Sequence, residues 1–147
     1  RTDSTTGAAL CVAGSFKRGD NDTLQYTLSG GPGLGRYIGF GMAPDAYIDV
    51  DGSLEAQDLV AGFAAWRHDW NDRLRSTLAY SAAHIDTDLA AIGPLATKKT
   101  QSWRYNLIYS PFPRLDVGAE ISWGERTLSN GESGDLRRLH TTVKYTF

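Results

Sequence analysis

The last segment of the chain alternates between two kinds of side chain without a break. Its odd positions hold Leu139, Thr141, Val143, Tyr145 and Phe147, and its even positions hold His140, Thr142, Lys144 and Thr146. A repeat of two residues indicates a β-strand, because successive strand side chains point to opposite faces, whereas a helix repeats every 3.6 residues. The segment therefore predicts a strand with one apolar face and one polar face.

The same alternation recurs in earlier parts of the chain. It is clear in residues 115–124, 102–110 and 73–82, where large apolar residues alternate with charged or small polar ones. Residues 23–30 and 7–18 show it more weakly. No helical spacing accounts for four clear segments of this kind, so we predict an all-β chain with about seven antiparallel strands.

Residues 59–70 are also strand-like, but apolar side chains occupy both of their predicted faces. The charges favour a polar face that holds Arg67 and an opposite face that holds Trp66. A two-residue turn at Asn71 and Asp72 implies the reverse, because a shift of one residue exchanges the two faces of a strand. We favour the charge argument.

Short and long connections alternate between the predicted strands. The short ones, rich in turn-forming residues, are 19–22, 71–72 and 110–114, and the longer ones are 31–56, 85–99 and 129–135. Outer-membrane barrels combine short periplasmic turns with longer extracellular loops. The pattern therefore predicts an antiparallel transmembrane β-barrel whose short turns lie on the periplasmic side.

The composition is compatible with such a barrel and excludes other classes. Hydrophobic residues make up 41% of the chain, and no run of about 18 apolar residues indicates a transmembrane helix. Lys and Arg number 15 against 17 Asp and Glu, so no basic surface suggests a nucleic-acid partner. Cys11 is the only cysteine, which excludes a disulfide framework and a cysteine-based metal site.

The aromatic residues sort into two levels under this topology. Trp103 and Trp123 fall toward the extracellular ends of their strands, whereas Tyr109, Tyr145 and Phe147 fall toward the periplasmic ends. Aromatic side chains at both membrane–water interfaces are typical of outer-membrane barrels.

The last five residues, 143–147, resemble the signal that ends outer-membrane barrels, in which alternating apolar residues close on an aromatic one. This resemblance implies that Tyr145 and Phe147 are recognised by the outer-membrane assembly machinery.

Three further stretches resemble the last part of DcaP-like trimeric porins. They are residues 33–39 (GLGRYIG), 67–76 (RHDWNDRLRS) and 106–116 (NLIYSPFPRLD). With the terminal segment they cover most of the chain from about Gly30 onward. The resemblance implies a bacterial outer-membrane location, contact with the lipid bilayer and lipopolysaccharide, a homotrimer, and the passage of small, often anionic, organic solutes.

The number of strands bears on how such a barrel closes. In about seven antiparallel strands the first and last run in the same direction, whereas bacterial barrels have even strand numbers. Either an eighth strand lies in residues 31–56, or residues 1–147 are a single β-barrel domain that forms the C-terminal part of a porin with roughly 16 to 18 strands. We favour the second interpretation.

If the apolar set faces lipid, the alternate set lines the pore. It comprises Arg67, Arg75, Arg104, Glu120, Arg126, Arg138, His140 and Lys144. Charged rings of this kind set the ion preference of a pore, and the basic excess favours anions. The competing interpretation is that these charges only pair across strands and keep the lumen hydrated.

Two other motifs have simple explanations. The glycine-rich residues 30–35 lack the Lys and Ser or Thr of a nucleotide-binding loop, so we expect a bulge or loop at the barrel rim. His84, Asp86 and Asp88 alternate at a strand end and could form a catalytic group or a divalent-cation site. No serine or second histidine stands at a convincing spacing, and we predict no catalytic, metal or cofactor site.

Five acidic residues crowd the connection before residues 59–70, namely Asp45, Asp49, Asp51, Glu55 and Asp58. Their spacing does not match a calcium loop, and we expect a solvated extracellular loop or one that constricts the pore.

Three functions follow from these patterns. The favoured one is an outer-membrane porin-type channel for passive diffusion of small hydrophilic, preferentially anionic solutes. The alternatives are a small outer-membrane barrel with an enzymatic or adhesin role and a soluble β-barrel that binds a ligand inside. Detergent dependence distinguishes the soluble barrel from the other two, because a soluble barrel would bury its Trp, Tyr and Leu face and stay dispersed without detergent.

Overall fold

A computed structural model describes residues 3–38 and 42–147. Gly39, the last residue of the stretch 33–39 that resembles DcaP-like porins, lies outside them. The long strands are β1 (Leu10–Arg18), β2 (Asp22–Pro32), β5 (Asp58–Asn71), β6 (Leu74–Ile85), β7 (Thr97–Phe112), β8 (Leu115–Leu128) and β9 (Ser133–Tyr145). The remaining elements are the short strands β3 (Ala46–Ile48) and β4 (Leu54–Ala56) and the four-residue helices α1 (Gly35–Ile38) and α2 (Leu89–Ile92).

The seven long strands form one antiparallel sheet in the order β1-β2-β5-β6-β7-β8-β9, so each strand pairs with its neighbours along the sheet. This confirms the predicted all-β antiparallel architecture. In the described part of residues 31–56, β3 and β4 pair only with each other and add no strand to the large sheet. Neither helix is long and apolar enough to cross a membrane.

Strand register assigns the side chains to two faces. The residue rows Ala79–Arg104–Ser122–Arg138 and Leu78–Tyr105–Ile121–Leu139 run across β6 to β9 on opposite faces. We call the first the polar face and the second the apolar face. Leu28, Ile121, Leu139 and Val143 on the apolar face are all exposed. Large contiguous apolar surfaces are rare on soluble monomers, and a bilayer would cover this one.

The uncertainty about β5 is resolved by a bulge. Asp69 lies opposite Arg75, but Asn71 lies opposite Leu74, so one extra residue, Trp70, is inserted in β5. The two-residue turn alone would place Arg67 on the apolar face, and the extra residue exchanges the two faces of β5. Arg67 therefore shares the polar face with Arg75, as the charges predicted.

The connections differ in one respect from the prediction. Residues 19–21, 72–73 and 113–114 form short turns at one end of the sheet. At the other end, residues 33–57 and 86–96 are long, but β9 begins at Ser133 and leaves only residues 129–132 between it and β8. The predicted long connection 129–135 is wrong, because the β8–β9 pairing extends up to Thr127 opposite Ser133.

The end of the chain also differs from the prediction. β9 ends at Tyr145, so Phe147 lies beyond the strand and is fully exposed. Its ring packs edge-on against Tyr145 with centroids 5.3 Å apart, and the Thr146 amide still donates to the Arg114 carbonyl at 2.9 Å.

A small buried cluster fixes the long connection 33–57 on the sheet. Leu34 packs with Leu59 and Ile85, and Ile38 and Ala43 pack against the same cluster. Leu59 and Ile85 are register partners and belong to the polar face. The connection therefore folds over the polar face, which explains why the start of β5 is apolar on both sides.

Candidate pore-lining site

The eight predicted pore-lining residues all lie on the polar face. The register places Glu120 opposite His140 and Arg126 opposite Gly134, while Arg104 lies opposite Ala79 and Arg67 opposite Thr77. The alternation in each strand accounts for this shared orientation, because residues two apart point to the same face. Their role in lining a pore stays a prediction.

Two arginines near the short turns, Arg67 and Arg75, are paired with carboxylates, whereas Lys144 at the same end forms no ion pair among the described residues. Arg67 Nη2 lies 2.7 Å from Asp69 Oδ1. Arg75 Nη2 donates to Asp116 Oδ2 at 3.1 Å, and its Nη1 donates to Ser110 Oγ at 3.0 Å. The contacts of Arg75 tie β6, β7 and β8 together across the polar face, and each of the two pairs offsets one arginine charge.

Three arginines farther from the short turns are left without such partners. Within the described residues, no carboxylate lies within ion-pair distance of Arg104, Arg126 or Arg138. All three side chains are exposed. Their row neighbours are small, since Ala79 and Ser122 flank Arg104. The guanidinium groups therefore present positive charge on the polar face without a direct ion-pair partner among the described residues.

The connection 33–57 forms a recess with these arginines. Met42 from the connection faces Ser81, Ser102, Arg104 and Arg126 across a recess of about 690 Å³. Two guanidinium groups, hydroxyl groups and one thioether therefore converge on one space, which the carboxyl-bearing residues Glu125, Glu132 and Asp135 also line. Such a surface can exchange hydrogen bonds with a hydrated solute, and its charges are mixed.

Hydrogen bonds hold the shape of this connection. The Arg36 amide donates to Asp45 Oδ1 at 2.8 Å, and the Arg36 guanidinium forms an ion pair with the same carboxylate. These bonds hold the pKa of Asp45 below its usual range, the backbone bond being the larger cause. Gln57 is buried, and its Nε2 donates to the Asp86 carbonyl in the connection 86–96. The two long connections are thereby joined.

The other acidic residues of the connection have local structural roles. Asp51 accepts hydrogen bonds from the Ser53 amide at 2.9 Å and the Ser53 hydroxyl at 2.7 Å, which shapes the turn between β3 and β4. The Tyr47 hydroxyl donates to Glu55 at 3.3 Å across the same hairpin. Burial of the Tyr47 ring, followed by this carboxylate, raises the pKa of its hydroxyl. The prediction of a solvated extracellular loop or one that constricts the pore stays a prediction.

The His84, Asp86 and Asp88 motif does not converge. His84 lies on the apolar face opposite Lys99, whereas Asp88 caps α2 by accepting from the Ala90 amide at 2.8 Å. In residues 3–38 and 42–147, no three potential ligands are grouped to hold a metal ion.

Sequence reasoning missed a polar cluster on the apolar face near the short turns. Trp66 Nε1 donates to Asp22 Oδ1 at 2.7 Å, and His68 Nδ1 lies 2.8 Å from the same oxygen. The His68 ring also packs edge-on against Trp70 with centroids 4.5 Å apart. The spacing of Trp66, His68 and Trp70, at every second residue, was the available signal, but their partner lies more than forty positions earlier.

Comparison with known proteins gives one informative relationship. No family model matches the chain, and no curated protein matches it. The structure is similar to the crystal structure of the outer membrane channel DcaP of Acinetobacter baumannii, with a TM-score of 0.87 and 28% sequence identity. The match covers 97% of this chain and 41% of that one, so the chain spans less than half the length of the channel. The resemblance to DcaP-like porins is thereby confirmed: in fold and in sequence, the chain is similar to part of a DcaP-type outer-membrane channel.

Proposed function

We propose that this chain forms part of the wall of an outer-membrane porin-type channel, through which small hydrophilic solutes diffuse passively. The observation that carries the proposal is the division of one continuous sheet into two unlike faces. One face exposes large apolar side chains such as Ile121 and Leu139, and the other exposes Arg104 and Arg138. This is the division that a barrel between lipid and water requires.

The likeness to a DcaP channel supports a channel and not an enzyme. It also supports an outer-membrane location. Because the chain spans 41% of that channel's length, transport by the whole protein, a homotrimer, contact with lipopolysaccharide and recognition of Tyr145 and Phe147 by the assembly machinery are further parts of this proposal.

The topology supports a barrel with additional strands. β1 and β9 run in the same direction and do not pair with each other. An antiparallel barrel therefore closes only if an odd number of further strands lies between them. We propose that the short turns face the periplasm and that the connections 33–57 and 86–96 face the exterior.

Charge on the polar face supports a preference for anions. Arg67 and Arg75 form ion pairs with carboxylates, but Arg104, Arg126 and Arg138 form none with any residue that the structure describes. In a confined, partly dehydrated space such charges act more strongly than in bulk water.

The test is the reversal potential of the complete channel in a planar bilayer that separates two concentrations of potassium chloride. The proposal predicts a potential that corresponds to chloride passing more readily than potassium. Easier passage of potassium would refute the anion preference, and the absence of any conductance would refute the channel itself. A purified protein that stays dispersed without detergent would favour the soluble ligand-binding barrel instead.

A further inference from the structure

A cavity of about 300 Å³ lies between the polar face and the connection 33–57. Half-buried hydroxyl groups and one exposed aromatic ring line it from neighbouring strands of the sheet, namely Thr27, Ser29, Phe63, Ser81 and Thr100. From the connection it is lined by Tyr37 and Ile38 of α1 and by Met42. A volume of this size is at the lower end of the range for small-molecule sites.

Phe63 is the aromatic residue that faces this cavity from the sheet. The register places it between Thr27 and Ser81 on the polar face, and it is 44% exposed. It does not pack in the buried cluster around Leu34. Contact between an apolar ring and water costs free energy. The ring therefore offers a surface on which the ring of a solute can stack.

The hydroxyl groups around Phe63 keep the capacity to form hydrogen bonds. The hydroxyls of Ser81 and Ser102 lie 2.8 Å apart and share one hydrogen bond. Those of Thr27 and Thr100 form none with any residue that the structure describes. Because a hydroxyl group both donates and accepts, these side chains match a solute that presents hydroxyl groups of its own.

The cavity is uncharged, unlike the recess beside it. No charged side chain lines it from the part of the chain that the structure describes. Arg126 is the register partner of Thr100 but lies one strand further on, and Arg36, next to Tyr37 in sequence, is paired with Asp45. A carboxylate or ammonium group would lose water in this cavity without gaining a partner of opposite charge. The lining therefore favours a neutral solute.

Two other neutral classes of solute fit this lining less well. An aromatic solute could stack on Phe63, but it would cover the hydroxyl groups without bonding to them, which is costly. An open-chain polyol could bond to the hydroxyl groups, but it has no ring face for Phe63 and loses more conformational freedom on binding. A sugar ring combines an apolar C–H face with hydroxyl groups at its edge.

We infer that this cavity binds the ring of a neutral monosaccharide, stacked on Phe63 and hydrogen-bonded to Thr27, Ser81 and Thr100. The inference rests on the proposed channel, since only there does the polar face line the path of the solutes. It adds a weak, saturable step to passive diffusion. A hexose that binds in the cavity stays longer in the pore and obstructs the flow of ions.

The experiment measures the conductance of the complete channel in a planar bilayer, with glucose added to the potassium chloride solution. Sorbitol, an open-chain polyol of nearly the same mass, is the reference. Both solutes lower the bulk conductivity to a similar extent, so a further loss of conductance in glucose reports binding in the pore. We expect this further loss to saturate in the millimolar range, because one ring contact and a few hydrogen bonds give weak binding.

Variants then test the two kinds of contact separately. Phe63→Ala should raise the half-saturating glucose concentration by roughly twofold to tenfold, since it removes the aromatic contact, whereas Phe63→Trp should keep it. Thr27→Val preserves the shape of the side chain but removes its hydroxyl group, and it should also weaken binding. Leu136→Ala is the matched control, because Leu136 is an exposed apolar residue at the far end of the row that contains Phe63.

Equal conductance in glucose and in sorbitol would overturn the inference, as would equal effects of Phe63→Ala and Leu136→Ala. Conductance in potassium chloride alone establishes that each variant is folded and inserted. Failure of the proposed function has a different result, because the complete channel then conducts no ions in either solution. A channel that conducts but does not distinguish glucose from sorbitol rejects the sugar site and leaves the channel standing.

Discussion

Arg104 and Arg138 lie in one row of the polar face, separated only by Ser122 on the strand between them. Two strands at about 4.8 Å spacing bring their backbones within about 10 Å of each other. Neither guanidinium group has a carboxylate partner among the described residues. Mutual repulsion is tolerated because both side chains are exposed, and their combined field is directed into the space that the sheet faces.

Reversing these two charges should change the ion preference of the channel. We expect Arg104→Glu with Arg138→Glu to shift the reversal potential in a salt gradient toward cation selectivity, because a ring of charge sets which ion enters a pore. Arg137→Glu is the matched control, since Arg137 is adjacent in sequence but lies on the apolar face opposite Trp123. An equal shift in the control would show that the two faces have been assigned wrongly.

A charged side chain on the apolar face near the bilayer midplane should destabilise the folded protein. Leu139 lies at the centre of β9 opposite Ile121, and Leu139→Arg should reduce the free energy of unfolding from bilayers by about 2–4 kcal/mol. His140→Arg, one residue further on the polar face, should change it by less than about 1 kcal/mol. The measurement is reversible denaturant unfolding from lipid vesicles. Comparable losses in the two variants would contradict a lipid-facing Leu139, and with it the same assignment for Leu107, Val117 and Val143.

The ion pair between Arg36 and Asp45 predicts an acid-sensitive connection. Because hydrogen bonds from Arg36 lower the pKa of Asp45, its carboxylate stabilises the folded connection. That contribution is complete above the ordinary carboxyl pKa and is lost as the pH falls through the lowered value.

We therefore expect steady single-channel currents at neutral pH and excess current noise only below about pH 4. Asp45→Asn should produce the same noise at neutral pH, whereas Asp49→Asn, a charge change in the same connection, should not. Noise that rises already near pH 6 would point to a histidine and away from Asp45.

The sequence was sufficient to predict the strands, because their side-chain alternation is a local property. β8 and β9 were recognisable from the alternation around Ile121 and Leu139. The structure extends β8 by four residues, and it begins β9 six residues before the predicted segment and ends it two residues earlier. The bulge at Trp70 was not predictable, since it depends on how β5 pairs with β6. The charge of Arg67 nevertheless identified the correct face, because an unpaired charge facing lipid is costly.

The candidate site was predicted less completely than the strands. The basic residues of the polar face followed from alternation, but their division into paired and unpaired groups did not. Asp116 lies more than forty positions from Arg75, and no local pattern links them. The sequence left the placement of the connection 33–57 open between a solvated loop and one that constricts the pore, although the apolar residues on both faces at Leu59 were a signal for a contact on the polar face. That excess of apolar residues is the contact surface for Leu34.

The packing of Leu34 leads to the last prediction. Leu34 is 9% exposed and contacts Leu59 and Ile85, which are themselves 4% and 2% exposed. This cluster is the main apolar anchor of the connection 33–57 on the polar face. Leu34→Ala should remove about 2 kcal/mol or more of that anchoring, while the sheet, held by its own hydrogen bonds, should remain intact.

A loosened connection should leave more of the polar face open to solutes. We expect Leu34→Ala to raise single-channel conductance and to admit larger hydrophilic solutes in a liposome-swelling assay. Leu95→Ala is the matched control, because Leu95 lies in the other long connection and is 68% exposed. If the connection 33–57 instead lies clear of the solute path, conductance will stay unchanged while the connection becomes more sensitive to protease. That combination would show that Leu34 only stabilises the fold and that the recess beside Arg104 and Arg126 does not limit transport.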